Sequence, residues 1–170
     1  SGTTLSGSNP EFITLSTIQE INRRIITLHD KKPNEKLHPS MEVIKEHTEV
    51  CKEYWNLLMQ IDLFKQATED KNETGDATRV ELRQKNILLK PLVQQYIAET
   101  IFKLRSPGGE YESISKSECI KRINEVNWDI DNKTWSPFII QDGVIMNEKK
   151  GSALSYLNYL FGVNSITNED

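Results

Sequence analysis

Four basic residues in the last third of the chain have the types and spacing for chemistry with an anionic ligand. Lys149 and Lys150 stand at the expected start of a last helix, whose free backbone amides and positive dipole end attract anions. Arg122 and Lys133 lie a short way upstream. Together these four would contact phosphates, which positions a protein on DNA without reading its sequence. The plainer alternative is a solvated lysine pair on a helix start. Non-specific DNA affinity needs several phosphate contacts, and a formal net charge of -4 supplies no general excess of positive charge.

Trp128 and Trp135 fall in a polar connector just before this region. Exposed, they would stack on bases or grip a peptide. Buried, they would pin the connector to a helical core, and that is the expected role. Asp142 with Glu148-Lys149-Lys150 has the outline of the acid pair and lysine that hold Mg²⁺ for phosphodiester cleavage. That chemistry needs two acids converging from adjacent strands, whereas Glu148 falls at a helix start and no central sheet is expected. His47 and Cys51 stand one helical turn apart, a legal metal-ligand spacing. Nothing completes the set, so both read as core-facing. His29 and His38 lie near loops without partners. No Ser or Cys nucleophile stands beside a recognisable base, and no phosphate-binding glycine loop occurs. The chain is therefore expected to be non-catalytic, with no metal and no cofactor.

A chain of 170 residues suffices for one domain with its own core. The apolar share is 36 % and the charged share 27 %. That is polar for a globular domain, but the aromatic residues argue against disorder. No run of about 18 apolar residues occurs, so no membrane-spanning helix is expected, and no signal-peptide pattern opens the chain. Cys51 and Cys119 lie far apart, which fits a reduced cytoplasmic protein, with a disulfide as the lesser alternative. The first residue is Ser1 rather than Met, as expected of a processed product or a fragment of something longer.

Residues 1–11 read as a flexible tail or linker, rich in Ser, Gly and Thr near the start, and 12–170 as a single helical domain. Ser16 and Gln19 form a capping-box pattern, followed by Ile18, Ile21, Ile25 and Leu28 at helical spacing. Ser40 caps a second helix over Met41 to Ile61, with Val43, His47, Val50, Tyr54, Leu57 and Ile61 inward. Asp62 to Ala67 reads as a further turn, and Glu69 to Asp76 as a loop. Thr78 and Glu81 suggest another capping box, opening a long helix from Arg79 to Arg105 kinked near Pro91. Ser106-Pro107-Gly108-Gly109 stops it. Ser115 and Glu118 open a short helix to Glu125. Phe138-Ile139-Ile140 and Val144-Ile145-Met146 flank Gln141-Asp142-Gly143, a hairpin turn. A last helix, Lys150 to Phe161, ends at Gly162 as C-terminal cap. The expected fold is mainly α: about five helices around one long central helix, with one small β-hairpin near the C-terminus.

With these elements placed, the chain resembles the C-terminal helical half of the DndB proteins of bacterial DNA phosphorothioate (sulfur) modification systems, within the wider group carrying a DGQHR motif. Phe12-Ile13-Thr14-Leu15-Ser16 is similar to the family's "LFTLS" helix start, and Glu81-Leu82-Arg83 to its "ELR". Asn127-Trp128-Asp129, Trp135 and the run from Tyr156-Leu157 to Phe161-Gly162 continue the likeness. Ser165-Ile166-Thr167-Asn168-Glu169 is similar to its "PLTPEE"-like tail. Two departures stand out. Glu148-Lys149-Lys150-Gly151 replaces the family's Arg-Gln-Asn-type run, and the DGQHR signature is absent, Asp142-Gly143 being only a turn. The activity of the family's N-terminal, ParB-like domain is therefore not assigned to this chain. The resemblance implies a regulatory or interaction module of a DNA-modification or phage-defence system, with DndB regulating its own modification operon. DNA, other DNA-modification proteins or a second copy of the chain are the implied partners, and a scaffold or dimerisation domain without DNA contact is the alternative. It marks Arg83, Trp128, Trp135 and Gly162 as family-pattern structural residues, with Arg83 raised as a fork-like partner for a carboxylate.

Overall fold

The structure, a computed structural model, describes residues 11–30, 39–69, 73–105, 114–141, 144–145 and 150–161. The fold is mainly helical. Its α-helices are α1 (Leu15–His29), α2 (Met41–Leu58), α3 (Asp62–Glu69), α4 (Glu73–Lys85), α5 (Pro91–Arg105), α6 (Lys116–Asn124) and α7 (Lys150–Leu160).

Helix α1 starts earlier than its capping-box pattern suggests. Thr14 is extended, with φ -95° and ψ 155°, and its Oγ1 accepts from the Thr17 amide at 3.1 Å. Ser16 already lies inside the first turn, so the residue that leaves the helical conformation takes the capping role. Thr17, Ile21 and Ile25 form the buried stripe. Ser40 caps α2 as expected, its Oγ accepting from the Val43 amide at 3.3 Å. Ser115 caps α6 in the same way at 3.1 Å.

The expected long helix from Arg79 to Arg105 is two helices. Helix α4 begins at Glu73, so Thr78 and Glu81 lie in its interior, and Glu81 pairs with Lys85 at 2.6 Å. The first half of α4 carries few apolar residues, and Ala77 and Thr78 are exposed. A solvated helix of this kind has no apolar stripe to reveal it in sequence. At the other end, Pro91 is the first residue of α5 rather than a kink within a helix. Proline lacks the amide that a helix interior needs but fits the first turn, where that amide has no partner. Lys90 before it is extended, at φ -83° and ψ 136°, as the ring of a following proline favours. Between the helices, Ile87–Leu89 makes one 3₁₀ turn in which Ile87, Leu88 and Leu89 are all buried. Three consecutive apolar side chains cannot share one helical stripe; breaking the helix lets all of them enter the core.

Helix α5 is the central element. It packs on α1, α6 and α7 and buries Val93, Tyr96, Ile97, Ala98, Ile101 and Leu104. Two buried polar side chains tie the chain before α1 to this centre. Arg83 on α4 donates to the Glu11 carbonyl, and Gln94 on α5 donates to the Phe12 carbonyl at 3.1 Å. Phe12 meets Phe64 of α3 edge-on at 5.8 Å.

Near the C-terminus, β1 (Ile140–Gln141) pairs antiparallel with β2 (Val144–Ile145), Ile140 facing Ile145. Among the described residues the pairing covers Ile140–Gln141 and Val144–Ile145, so Gln141, expected in the turn, lies in a strand. Phe138 and Ile139 instead close helical turns onto the Trp135 carbonyl at 3.1 and 2.9 Å. Asp142, Gly143 and Met146 lie outside the described residues, as does Gly162, the expected cap of α7.

Cys51 and Cys119 are both free thiols. Burial raises both, and the Cys119 thiol is pushed up to about 11. The thiolate is the reactive form, so labelling of the native protein by a thiol reagent at neutral pH should be slow at both positions. Cys51, at 9 % exposure, should react before Cys119, at 0 %. Mass spectrometry of peptides at successive times reads the order; equal rates would show that α6 opens as readily as α2.

Candidate nucleic-acid interface

The connector between α6 and β1 is fixed by its tryptophans. Trp128 and Trp135 stack nearly parallel, ring centroids 5.4 Å apart and planes 9° apart. Trp135 meets Tyr156 of α7 edge-on at 5.4 Å, and Trp128 lies 6.4 Å from Phe161. Each indole N–H donates to a backbone carbonyl: Trp128 to Ile123 at 2.8 Å and Trp135 to Asn127 at 3.1 Å. Both rings are buried, so neither offers a face to a base.

The same connector repairs the break between α4 and α5. The Ile87 amide donates to the Trp128 carbonyl at 2.8 Å, and the Ile130 amide to the Lys85 carbonyl at 2.7 Å. Asn86 and Asp129 form an antiparallel bridge. Backbone groups that a continuous helix would satisfy internally are satisfied here by a partner segment.

Three of the four basic candidates lie among the described residues, on three different elements. Lys149 lies outside the described residues. Lys150 opens α7, and its Nζ is 3.6 Å from Glu99 Oε2. Glu99 also faces Arg24 at 3.4 Å and Lys103 at 3.5 Å. The Arg24 guanidinium in turn joins Glu20, whose carboxyl is held down at about 2 by its hydrogen bond to Arg23, with Arg24 adding to the effect. Lys150 thus belongs to an ion-pair network joining α1, α5 and α7. Arg122 is structural as well: its Nε binds Glu118 Oε1 at 2.7 Å and its Nη1 the Phe161 carbonyl at 2.5 Å, which ties α6 to the end of α7. Lys133 is exposed in a 3₁₀ turn, Lys133–Trp135.

A different surface brings lysines together with few competitors. An open groove of about 880 Å³ between α6 and the start of α3 is lined by Lys65, Lys116, Lys121, Ser115, Ser117 and Gln60, with Glu125 as its carboxylate. Lys65 reaches Asp62 only at 3.4 Å and Lys121 reaches Glu125 only at 3.9 Å. Among the described residues Lys116 has no ion pair. Exposed pairs this long hold their lysines weakly, so the charges are available to an anionic ligand. Sequence reasoning missed these residues because Lys65 lies far from the other two along the chain. The one local signal was Lys116 and Lys121 on a single short, capped helix.

The other chemical candidates stay apart. His47 lies 3.6 Å from Asp30 and 6.4 Å, ring to ring, from His29, while Cys51 is buried. The described residues hold no group of three or more His, Cys, Asp or Glu able to bind a metal ion. Asp142 and Glu148 lie outside the described residues. No helix among the described residues is long and apolar enough to cross a membrane.

Against known proteins, residues 2–162 match the family model DndB, described as DNA-sulfur modification-associated. No curated protein and no solved structure matches the chain.

Proposed function

The chain belongs to the DndB family of DNA-sulfur modification-associated proteins, and on that premise we propose that it is a non-catalytic regulatory and interaction domain that contacts the DNA backbone in the course of that modification. The observation that carries the contact is the α3–α6 groove, where the exposed Lys65 and Lys121, with only weak partners, and the half-buried Lys116 line one surface. Lysine heads at such a surface neutralise phosphates and release the counterions condensed on DNA. The hydroxyls of Ser115 and Ser117 line the same groove and suit the same oxygens. The two amides in the groove that could read base edges are engaged with the backbone, Gln60 Nε2 donating to the Asn56 carbonyl and Asn124 Oδ1 accepting from the Asp62 amide, so the contact positions the domain and leaves sequence choice to other parts of the system. The tryptophan-pinned connector holds the end of α6 to the α4–α5 junction, through the Trp128 indole on the Ile123 carbonyl and the Ile87 amide on the Trp128 carbonyl.

Fluorescence anisotropy with a labelled duplex at low salt tests the assignment. Replacing Lys65, Lys116 and Lys121 together with alanine should weaken binding about 10–100-fold. Lys150→Ala should change it less than about twofold, since its partner Glu99 is largely buried, whereas Asp62 and Glu125 beside the groove lysines are exposed. Equal loss in both variants would move the contact to the start of α7, and unchanged binding in the triple variant would refute the groove.

One observation favours a second reading, a scaffold or self-association domain without DNA contact. After Lys150, α7 carries no charged residue, and it presents Ser152, Ser155 and the 73 % exposed Tyr159 to solvent. Charge depletion with an exposed tyrosine is typical of interface cores. A mass by light scattering that rises with concentration, and falls back in Tyr159→Lys, would favour it; a strict monomer would exclude it.

A further inference from the structure

Tyr159 stands on the outer face of α7 with most of its ring in water, 73 % exposed. Tyr156, one turn earlier, lies nearly parallel to it, planes 19° apart, at a centroid distance of 6.5 Å. Tyr156 is itself stacked on Phe138 at 4.2 Å, so Tyr159 projects beyond a filled aromatic pair. After Lys150 the side chains of α7 carry no charge, and this face brings no unpaired charge to a contact. A tyrosine there offers an apolar body with one polar tip.

A seat of matching size lies on other helices. A cavity of about 200 Å³ is formed by α1, α2 and α5. The half-buried Val50 and Phe102 present its apolar surface, and the buried Ile25, Leu57 and Ile101 close its base. Its rim is polar, with His29, Glu53 and Arg105. Arg105 Nη2 and Glu53 Oε1 pair at 2.9 Å, so their charges cancel. The carboxylate keeps lone pairs for another donor, and the Glu53 side chain is two-thirds exposed. An apolar cavity of roughly 150 Å³ holds a benzene ring, so this one has room for a single ring with a hydroxyl at its rim. A neutral rim and an uncharged helix face match in charge, as the depleted cores of protein interfaces do.

We propose that this cavity receives Tyr159 of a second copy of the chain. The ring packs between Val50 and Phe102, and its hydroxyl donates to the Glu53 carboxylate beside Arg105. One chain carries both halves of the contact, an exposed ring and a ring-sized cavity, on different patches. Two copies exchange rings reciprocally, or copies add head to tail. The inference rests on the self-association reading of α7 and names the surface that α7 meets. None of the cavity residues lines the α3–α6 groove, so assembly leaves the groove lysines open.

Light scattering of the whole chain should give a mass that rises with concentration. Tyr159→Lys, and Val50→Phe, which fills the cavity, should each stay monomeric with an unchanged circular dichroism spectrum. Mixed in equal amounts they should associate again as one-to-one pairs, because one supplies the ring and the other the cavity. Tyr159→Phe should weaken association about tenfold, the effect of one hydrogen bond to a charged acceptor. In a mixture of labelled and unlabelled wild-type copies, intermolecular Overhauser contacts should join the Tyr159 ring to the Val50 and Ile101 methyls, a readout that needs no substitution. Association that is lost in Tyr159→Lys but kept in Val50→Phe, a mixture of the two variants that stays monomeric, or absence of those Overhauser contacts in an associated sample would overturn the inference while leaving α7 as the self-associating face. A wild-type chain that is monomeric at every concentration would overturn the inference and that reading together.

Discussion

Replacing Trp128 with alanine is expected to cost about 3–5 kcal/mol of stability, a third or more of the roughly 5–15 kcal/mol that holds a typical domain together. The ring is 4 % exposed, stacks on Trp135, touches Phe161 and donates from its indole to the Ile123 carbonyl at 2.8 Å. Truncation would leave a cavity between α6, the connector and the end of α7, and it would leave the Ile123 carbonyl to the longer contact from the Val126 amide at 3.3 Å. The backbone of residue 128 also receives the Ile87 amide that keeps the α4–α5 junction closed, so a loosened connector exposes a second set of unpaired groups. Trp135→Ala should be similar, since that ring is 1 % exposed and meets Tyr156 edge-on. The two rings touch, so the double variant should cost less than the sum of the singles. Urea unfolding, followed by circular dichroism with unchanged m-value, measures all three. A loss under about 1 kcal/mol for Trp128→Ala, the level of an ordinary surface change, would mean that the connector is not pinned by its tryptophans.

Arg83→Met is the second large effect, expected at about 2–3 kcal/mol. Arg83 is 5 % exposed and donates to the Glu11 carbonyl. Burial lowers its own pKa, yet arginine remains charged at neutral pH. Methionine keeps the apolar stem and removes the donors, leaving the Glu11 carbonyl without this partner. Lysine should not restore the loss, because a point charge lacks the planar fork that reaches the carbonyl from α4. Gln94→Met is the informative contrast. It gives up the hydrogen bond to Phe12 but also removes a buried oxygen that has no partner among the described residues, so about 0–1 kcal/mol is expected. Calorimetry separates the two positions. Equal costs would show that packing of the stems, rather than donation to the segment before α1, sets stability there.

The helical character, the serine caps of α2 and α6 and the inward face of α1 were legible in sequence because each has a short-range cause. Ser40 and Ser115 cap by bonding amides three residues on, and Ile21 and Ile25 repeat at the helical period. The α4–α5 break was not legible. Pro91 fits either a kink or a first turn, and what decides is the burial of Ile87, Leu88 and Leu89 together with pairing to residues 128–130, far along the chain. The start of α4 was hidden by its polarity. Site residues divide in the same way. Trp128 and Trp135 could be read as pins from their type and setting. The engagement of Lys150 with Glu99, and of Arg122 with the Phe161 carbonyl, depends on helices that meet only in three dimensions. So does the grouping of Lys65 with Lys116 and Lys121. A resemblance carried by short motifs at Arg83, Trp128 and Trp135 agrees with the positions where the chain joins distant segments: the α4 clamp on Glu11 and the connector across the α4–α5 junction.

The central claim is that this domain holds the DNA backbone through a few lysines and not through base contacts. Duplex binding measured across a salt series tests it most directly. Three phosphate contacts predict a log–log slope of about -2.7, and the variant lacking Lys65, Lys116 and Lys121 should have a slope near zero. Replacing the duplex with one of unrelated sequence should leave the wild-type slope and affinity unchanged. A slope near zero for the unaltered chain, or strong dependence on duplex sequence with little dependence on salt, would contradict the account.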